Sequence, residues 1–132
     1  MKKKIIAMAA VLLLLASIAL PILEARAAMM DATGSCGMTR SGKNVTFSGF
    51  TTSTDDEDII RVTITLQEKR DGAWYGVSSK TKTEMDSDLA SASKNHTVSG
   101  GHYYRVYASH YTKTGNIVCR TSSWTEEVWI PE

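Results

Sequence analysis

Two patterns of hydrophobic positions divide this chain. Residues 5–20 form an almost unbroken apolar run, whereas from Asn44 onward apolar and polar residues alternate in short segments separated by Gly, Asp, Asn and Ser clusters. Alternation is the period of a β-strand, in which successive side chains point to opposite faces. No segment of any length after Ala28 has the helical period. The pattern therefore predicts an all-β domain that follows an N-terminal apolar segment.

The clearest predicted strand covers residues 59–69. Its apolar residues share the face that should meet the core: Ile60, Val62, Ile64 and Leu66. Arg70, Asp71 and Gly72 follow as a short turn, so residues 66–80 are predicted to form a β-hairpin, with a bulge at Gly76. Trp74 begins the return strand and is predicted to be buried in the core, because sandwich folds commonly bury one tryptophan between their sheets.

A second clear alternation covers residues 102–111, where three residues are predicted to enter the core: Tyr104, Val106 and Ala108. Further short strands are predicted near residues 117–121, which carry Cys119, and 124–130. Residues 51–58 are polar and are predicted as a loop. Residues 81–95 have no regular pattern, and within them residues 85–90 fit either one helical turn capped by an aspartate or a crossing loop. About seven short strands punctuated by turns predict an antiparallel sandwich of two sheets.

The apolar run has the features of a secretory signal peptide, which is helical when it is recognised. Three lysines precede it, and Ala25 and Ala27 supply the small side chains that a signal peptidase requires. Cleavage is therefore predicted between Ala27 and Ala28. A permanent membrane anchor is the alternative, but this run is shorter than the roughly 20 residues of a spanning helix. An uncleaved signal peptide is the only predicted contact with a membrane.

Cleavage divides the chain into a signal peptide (1–27), an N-terminal tail (28–42) and a β-sandwich domain (43–132). The net charge of +1 belongs to the precursor, since the chain after Ala27 has 11 basic and 13 acidic residues. This balance argues against a nucleic-acid partner, because nucleic-acid binding depends on neutralising phosphates with Lys and Arg.

The chain contains two cysteines, Cys36 and Cys119. Export delivers a protein to a compartment where thiols are generally oxidised, so a disulfide between them is predicted. By the chain-entropy account, closing so long a loop stabilises the fold by about 4–5 kcal/mol. The alternative is two unpaired buried thiols.

Two segments carry a resemblance to known proteins. His102-Tyr103-Tyr104-Arg105-Val106-Tyr107-Ala108 resembles the penultimate strand of fibronectin type III and related immunoglobulin-like sandwiches, whose pattern is aromatic, Arg, Val, any residue, Ala. Leu66-Gln67-Glu68-Lys69-Arg70-Asp71-Gly72-Ala73-Trp74, taken with Gly101-His102-Tyr103-Tyr104-Arg105-Val106, resembles small uncharacterised exported proteins of Gram-positive bacteria. The resemblance covers residues 45–130 and implies secretion and an immunoglobulin-like sandwich. It implies no activity.

Residues with catalytic or metal-binding chemistry are few. The histidines are His96, His102 and His110, and no Gly-x-Ser-x-Gly motif accompanies them. His102 and His110 lie roughly 27 Å apart if their strand is continuous, which is too far for two ligands of one metal. The acidic run 55–58 lacks the ligand spacing of a calcium loop and is predicted to be a solvated loop. No catalytic residue, cofactor or metal site is predicted.

The alternation of residues 102–111 also predicts a binding surface. Tyr103, Arg105, Tyr107 and Tyr111 should lie opposite the core-facing residues and line one strip. Such amphipathic rings are typical of binding surfaces, although they also serve as cross-strand pairs that only stabilise a sheet. The leading hypothesis is a non-enzymatic secreted domain that binds an extracellular protein or a cell-surface glycan. The alternatives are a secreted antimicrobial or toxin-like effector and an enzyme with an unrecognised site.

Overall fold

The computed structural model describes residues 32–132, so the predicted signal peptide and its cleavage site at Ala27 and Ala28 lie outside the described residues. The described part contains six strands: β1 (Thr33–Ser41), β2 (Asn44–Arg70), β3 (Ala73–Thr97), β4 (His102–Thr114), β5 (Ile117–Trp124) and β6 (Val128–Ile130). All strand pairs are antiparallel. The predicted all-β antiparallel class is confirmed. Within residues 32–132 there is no helix with the length and hydropathy to cross a membrane.

The six strands form one curled sheet organised around β2. The first part of β2 pairs with β1 on one side and with the end of β3 on the other. Its second part lies between the beginning of β3 and β4, and β4 pairs in turn with β5 and β6. The two parts join at an irregularity in the pairing between Thr52 and Glu57.

Contacts across the concave side show how far the sheet curls. The Cys36 Sγ of β1 lies 3.7 Å from the Val106 carbonyl of β4, although these strands do not pair with each other. The fold is therefore a half-barrel. Where the sequence predicts about seven strands in two separate sheets, the structure has six strands in one curled antiparallel sheet, because the long β2 and β3 each run through both of its parts.

The β2–β3 hairpin forms where the sequence predicts it. Asp71 and Gly72 both have positive φ angles, 50° and 78°, as a two-residue type I′ turn requires. The predicted bulge is also present, since Gln67 pairs with Gly76 while Leu66 pairs with Ser78. Val77 is thus the extra residue of the bulge.

The core fills the concave side of the sheet. The residues predicted to enter it from two strands are fully buried: Ile60, Val62, Ile64, Leu66, Tyr104, Val106 and Ala108. Val45 and Phe47 join them from the first part of β2. Because these positions alternate in sequence, the period-2 pattern was sufficient to identify them.

Three segments for which the sequence predicts no strand lie within β-strands of the structure. The segment assigned to an N-terminal tail, 28–42, contains β1, whose inward residues Gly34, Cys36 and Met38 do not form an apolar stripe. The predicted loop 51–58 and the irregular segment 81–95 lie within β2 and β3. β1 and β3 are edge strands that backbone hydrogen bonds hold against β2, so their side chains need not alternate in polarity. Segment 51–58 instead lies in the central strand β2 and contains the pairing irregularity between Thr52 and Glu57.

Cys36 and Cys119 are both free, so the predicted disulfide is wrong. Ser123 on β5 is the residue that meets Cys36, with its Oγ 3.4 Å from the Sγ. Cys119 pairs with Thr112 and lies four residues back along β5, roughly 13 Å from Ser123. A disulfide requires Cα atoms within about 7 Å of each other, so the bond is geometrically excluded.

Candidate functional site

The convex side of the sheet formed by β2, β3, β4, β5 and β6 carries most of the aromatic side chains, and we call it the aromatic face. It is defined by Trp74, Tyr103, Tyr107, Tyr111, Trp124 and Trp129, with the cations Arg61, Lys69, Arg105 and Arg120 between them. All four residues of the predicted binding strip lie here, because their neighbours Tyr104, Val106 and Ala108 are fully buried on the opposite side. The strip is therefore part of a larger surface than the sequence predicted.

Aromatic pairs connect adjacent strands of the aromatic face. Tyr103 is opposite Trp129 in the β4–β6 register, and their ring centroids lie 5.1 Å apart in an edge-to-face arrangement. Tyr107 is opposite Trp124 in the β4–β5 register, with centroids 5.8 Å apart. Trp124 and Trp129 remain 57% and 48% exposed. These pairs orient the rings while leaving large indole surfaces in contact with solvent.

Trp74 belongs to this face rather than to the core, which corrects the prediction made for it. The bulge at Val77 is the cause. Without it, the register that pairs Leu66 with Ser78 would continue and place Tyr75 opposite Lys69. With it, Lys69 pairs with Trp74, and both side chains point outward. One extra residue therefore moves the tryptophan to the other side of the sheet.

Cations lie over the rings at both ends of the aromatic face. The Arg105 Cζ is 4.3 Å from the Trp74 centroid, and its Nε donates a 2.7 Å hydrogen bond to the Gln67 Oε1. At the other end, Arg61 and Arg120 place their Cζ atoms 5.0 and 5.3 Å from the Tyr111 centroid. Stacking leaves the edge of a guanidinium free to donate hydrogen bonds.

The concave side contains a chain of polar contacts that the sequence analysis missed. The Thr51 Oγ1 lies 2.8 Å from the His110 Nδ1 and donates to the Arg61 carbonyl, so it accepts the proton of Nδ1. The His110 Nε2 lies 2.8 Å from the Ser123 Oγ, which also contacts the Cys36 Sγ. The sequence indicates part of this arrangement. His110 is an even number of residues from the core residues Tyr104 and Ala108, so it lies on the same side of β4.

Burial lowers the pKa of His110 below its usual value of 6.5. Because the unfolded chain then binds more protons than the folded protein just below pH 6.5, the free energy of unfolding should fall as pH decreases from 7.5 to 5.5. Urea denaturation across this range would measure the slope. We expect His110→Gln to reduce that slope, and a direct NMR titration of the His110 ring should give a pKa below 6.5. A ring that titrates above 6.5 would contradict this account.

A second buried polar group lies at the end of β2. The Glu68 carboxylate, 5% exposed, accepts hydrogen bonds from the Arg70 Nε at 2.6 Å and from the Tyr104 hydroxyl at 3.1 Å. The bond from Arg70 is the main reason that the pKa of Glu68 lies below its ordinary value, and burial opposes it. The backbone N–H of Gly100 donates to the Tyr104 oxygen, which ties the β3–β4 turn to this cluster.

The remaining residues with candidate chemistry are separated in space. His102 lies beside the Lys69 carbonyl and Glu68, while His110 contacts Thr51 and Ser123, so the two histidines do not meet, as predicted. The acidic run 55–58 is tied to the β4–β5 turn, where Asp58 accepts the Gly115 N–H at 2.8 Å. Within residues 32–132, no three His, Cys, Asp or Glu side chains are grouped so that they could hold a metal ion.

Comparisons with known proteins identify no family. No protein-family model and no curated protein sequence matches the chain. Among solved structures, E. coli curli protein CsgC is 12% identical with a TM-score of 0.43, covering 69% of this chain and 96% of its own. CsgH of R. palustris is 13% identical with a TM-score of 0.41, covering 67% and 89%. A DUF3823 family protein from Bacteroides uniformis is 13% identical with a TM-score of 0.49, covering 78% and 57%. At these values the likenesses carry no information on activity, ligands or site residues.

Proposed function

We propose that this protein is a non-enzymatic binding domain whose ligand, an extracellular protein or a cell-surface glycan, contacts the aromatic face. The observation that carries the proposal is the exposure of large aromatic side chains on one side of the sheet. Trp124, Trp129 and Tyr103 are 57%, 48% and 42% exposed. Concentrated exposed rings are typical of interaction sites, since Trp and Tyr supply much of the binding energy at interfaces.

The rings are already ordered in the unbound protein. Tyr103 and Tyr107 each contact a tryptophan of the neighbouring strand, and Arg105 stacks on Trp74. The Tyr107 hydroxyl is also fixed, 3.0 Å from the Ser122 Oγ. A ligand that docks on such a surface loses little free energy to the ordering of side chains. This favours recognition by a preformed surface.

The site of action in this proposal is outside the cell. The lysines before residue 5, the apolar run 5–20 and the small residues Ala25 and Ala27 support export, with cleavage before Ala28. Intact-mass measurement of the protein from a culture supernatant tests this directly. A chain that begins at Ala28 is expected, whereas a full-length chain confined to the membrane fraction would contradict export.

The double variant Tyr103→Ser, Tyr107→Ser tests binding against a purely structural role. Each ring pair contributes roughly 0.2–1 kcal/mol to the sheet, so the variant should remain folded. The binding signal of the variant on arrays of glycans and extracellular proteins should be at least tenfold lower than that of the wild-type protein. Phe50→Ser is the matched control, because Phe50 is equally exposed at 42% but lies outside the aromatic face. Binding that is unchanged in the double variant, or loss of its fold, would show that the rings only support the sheet.

A further inference from the structure

Positive charge is concentrated on the aromatic face. Residues 32–132 contain 11 Lys and Arg residues and 12 Asp and Glu residues. Five of these cations occupy outward strand positions of this face: Arg61, Lys69, Arg105, Lys113 and Arg120. Within the described residues, the one carboxylate at an outward strand position is Glu57, which pairs with Ser87 and lies four residues beyond Arg61, past the Tyr111 end of the face. Glu127, 3.3 Å from the Lys69 Nζ, is the one carboxylate that forms a salt bridge with these cations. The charge of this face is thus opposite in sign to that of the remaining surface.

Four of the five cations of the aromatic face fall into two groups, and Lys113 lies beyond the Tyr111 group on β4. Lys69 and Arg105 surround Trp74 at one end, and Arg61 and Arg120 surround Tyr111 at the other. Six residues of β4 separate Arg105 from Tyr111, which corresponds to roughly 20 Å. The surface between the groups is uncharged and rich in hydroxyl groups. It contains Thr63, Thr65, Tyr107, Ser109 and Ser122.

Arg105 is the best oriented of the cations. Its Cζ lies 4.3 Å from the Trp74 ring centroid, and Gln67 accepts the hydrogen bond from its Nε. The two terminal NH₂ groups retain four N–H donors, and these match the paired oxygens of a carboxylate. The Lys69 ammonium lies 5.6 Å from the same indole and adds a second positive charge.

From this arrangement we infer that the ligand is an acidic polysaccharide whose carboxylates are separated by hydroxyl-bearing sugar units. The inference rests on the proposed binding function and names its ligand class. The two cationic groups would bind carboxylates, the hydroxyl groups between them would bind sugar hydroxyls, and the exposed indoles of Trp124 and Trp129 would stack on sugar rings.

A nucleic-acid strand fits this surface less well. A helical strand carries one phosphate for roughly every 3.4 Å of helix axis, which would place several phosphates over the uncharged hydroxyl-rich middle of the face. The rings of Trp74 and Tyr111 also have guanidinium groups lying over them, so a nucleobase would have to displace these cations in order to stack there.

Calorimetric titration of the purified full-length chain tests the inference. The probes are hyaluronate, with a carboxylate on every second sugar, polygalacturonate, neutral dextran, poly-L-glutamate and oligo-dT. We expect hyaluronate to bind more tightly than the other four, including polygalacturonate, which has a carboxylate on every sugar, and to bind less tightly at high salt because the contacts are ionic. The double variant Arg105→Gln, Arg120→Gln should weaken this binding at least tenfold.

Arg40→Gln with Lys43→Gln is the matched control, since it also removes two positive charges, but at the exposed β1–β2 turn, away from the aromatic face. Affinity should be unchanged in this control. Equal or tighter binding of poly-L-glutamate or oligo-dT overturns the choice of polysaccharide, and so does the absence of hyaluronate binding. Equal or tighter binding of polygalacturonate overturns the inferred separation of the carboxylates. If a neutral glycan or a protein binds instead and is lost in Tyr103→Ser, Tyr107→Ser, the binding function stands and only the ligand class fails.

Discussion

Tyr104→Ala should lower the free energy of unfolding by about 3–5 kcal/mol, which is the usual cost of deleting a buried aromatic side chain. Tyr104 is 0% exposed and lies against the core on the concave side of the sheet. The substitution also removes the hydroxyl that donates to Glu68 and accepts from the Gly100 N–H. The Gly100 N–H would then lack this partner, and the buried Glu68 carboxylate would keep the hydrogen bond from Arg70 but lose the one from Tyr104, which adds to the loss of packing.

Tyr103→Ala is the matched control for this prediction. The two tyrosines are adjacent in sequence, but Tyr103 is 42% exposed and packs only against the convex side of the sheet. Its loss should cost no more than about 1 kcal/mol, the upper range for one cross-strand pair. Urea denaturation of both variants measures the difference. Similar costs for the two substitutions would mean that the assignment of the two sides of β4 is wrong.

Gly34→Ala is expected to be the second most damaging of these changes. A Cβ atom at Gly34 would overlap the imidazole ring of His110. The ring cannot easily move away, because Thr51 and Ser123 hold its two nitrogens with hydrogen bonds of 2.8 Å each. The variant must therefore displace β1 or break these bonds. Overpacking of this kind costs roughly 1–3 kcal/mol or more.

Gly37→Ala provides the comparison on the same strand. The nearest atom to a Cβ at Gly37 is the Ser48 Oγ at 3.8 Å, an ordinary van der Waals distance. This variant should unfold at close to the wild-type urea concentration, whereas Gly34→Ala should unfold at a clearly lower one. If Gly34→Ala is as stable as Gly37→Ala, the close approach of β1 to His110 does not exist in solution.

The two pairs of variants test the roles of the two sides of the sheet independently. Substitutions on the concave side should reduce stability, while Tyr103→Ser with Tyr107→Ser should reduce binding and leave the protein folded. The half-barrel therefore allows the binding proposal to be tested without confounding it with unfolding. The pH dependence allows the same distinction. The lowered pKa of His110 should make the free energy of unfolding depend on pH, and it should not affect the cations of the aromatic face.

The sequence by itself determined which side chains of the two most regular strand segments face the core. Strict alternation in residues 59–69 and 102–111 assigns Ile64 and Tyr104 to one side and Tyr103 and Tyr107 to the other, because the pleat of a strand has a period of two residues. The hairpin turn at Asp71 and Gly72 was equally local, since only a few residue types accept its positive φ angles.

Only the tertiary structure decided the features that depend on pairing partners. The sequence predicts a bulge at Gly76, but only the pairing of β2 with β3 shows that this bulge turns Trp74 outward. The separation of Cys36 from Cys119 depends on where β1 crosses the concave side. The aromatic face is likewise assembled from five strands, and its charge becomes visible only when residues distant in sequence lie side by side. Alternation specifies the side of a strand, whereas hydrogen-bonded register specifies its neighbours.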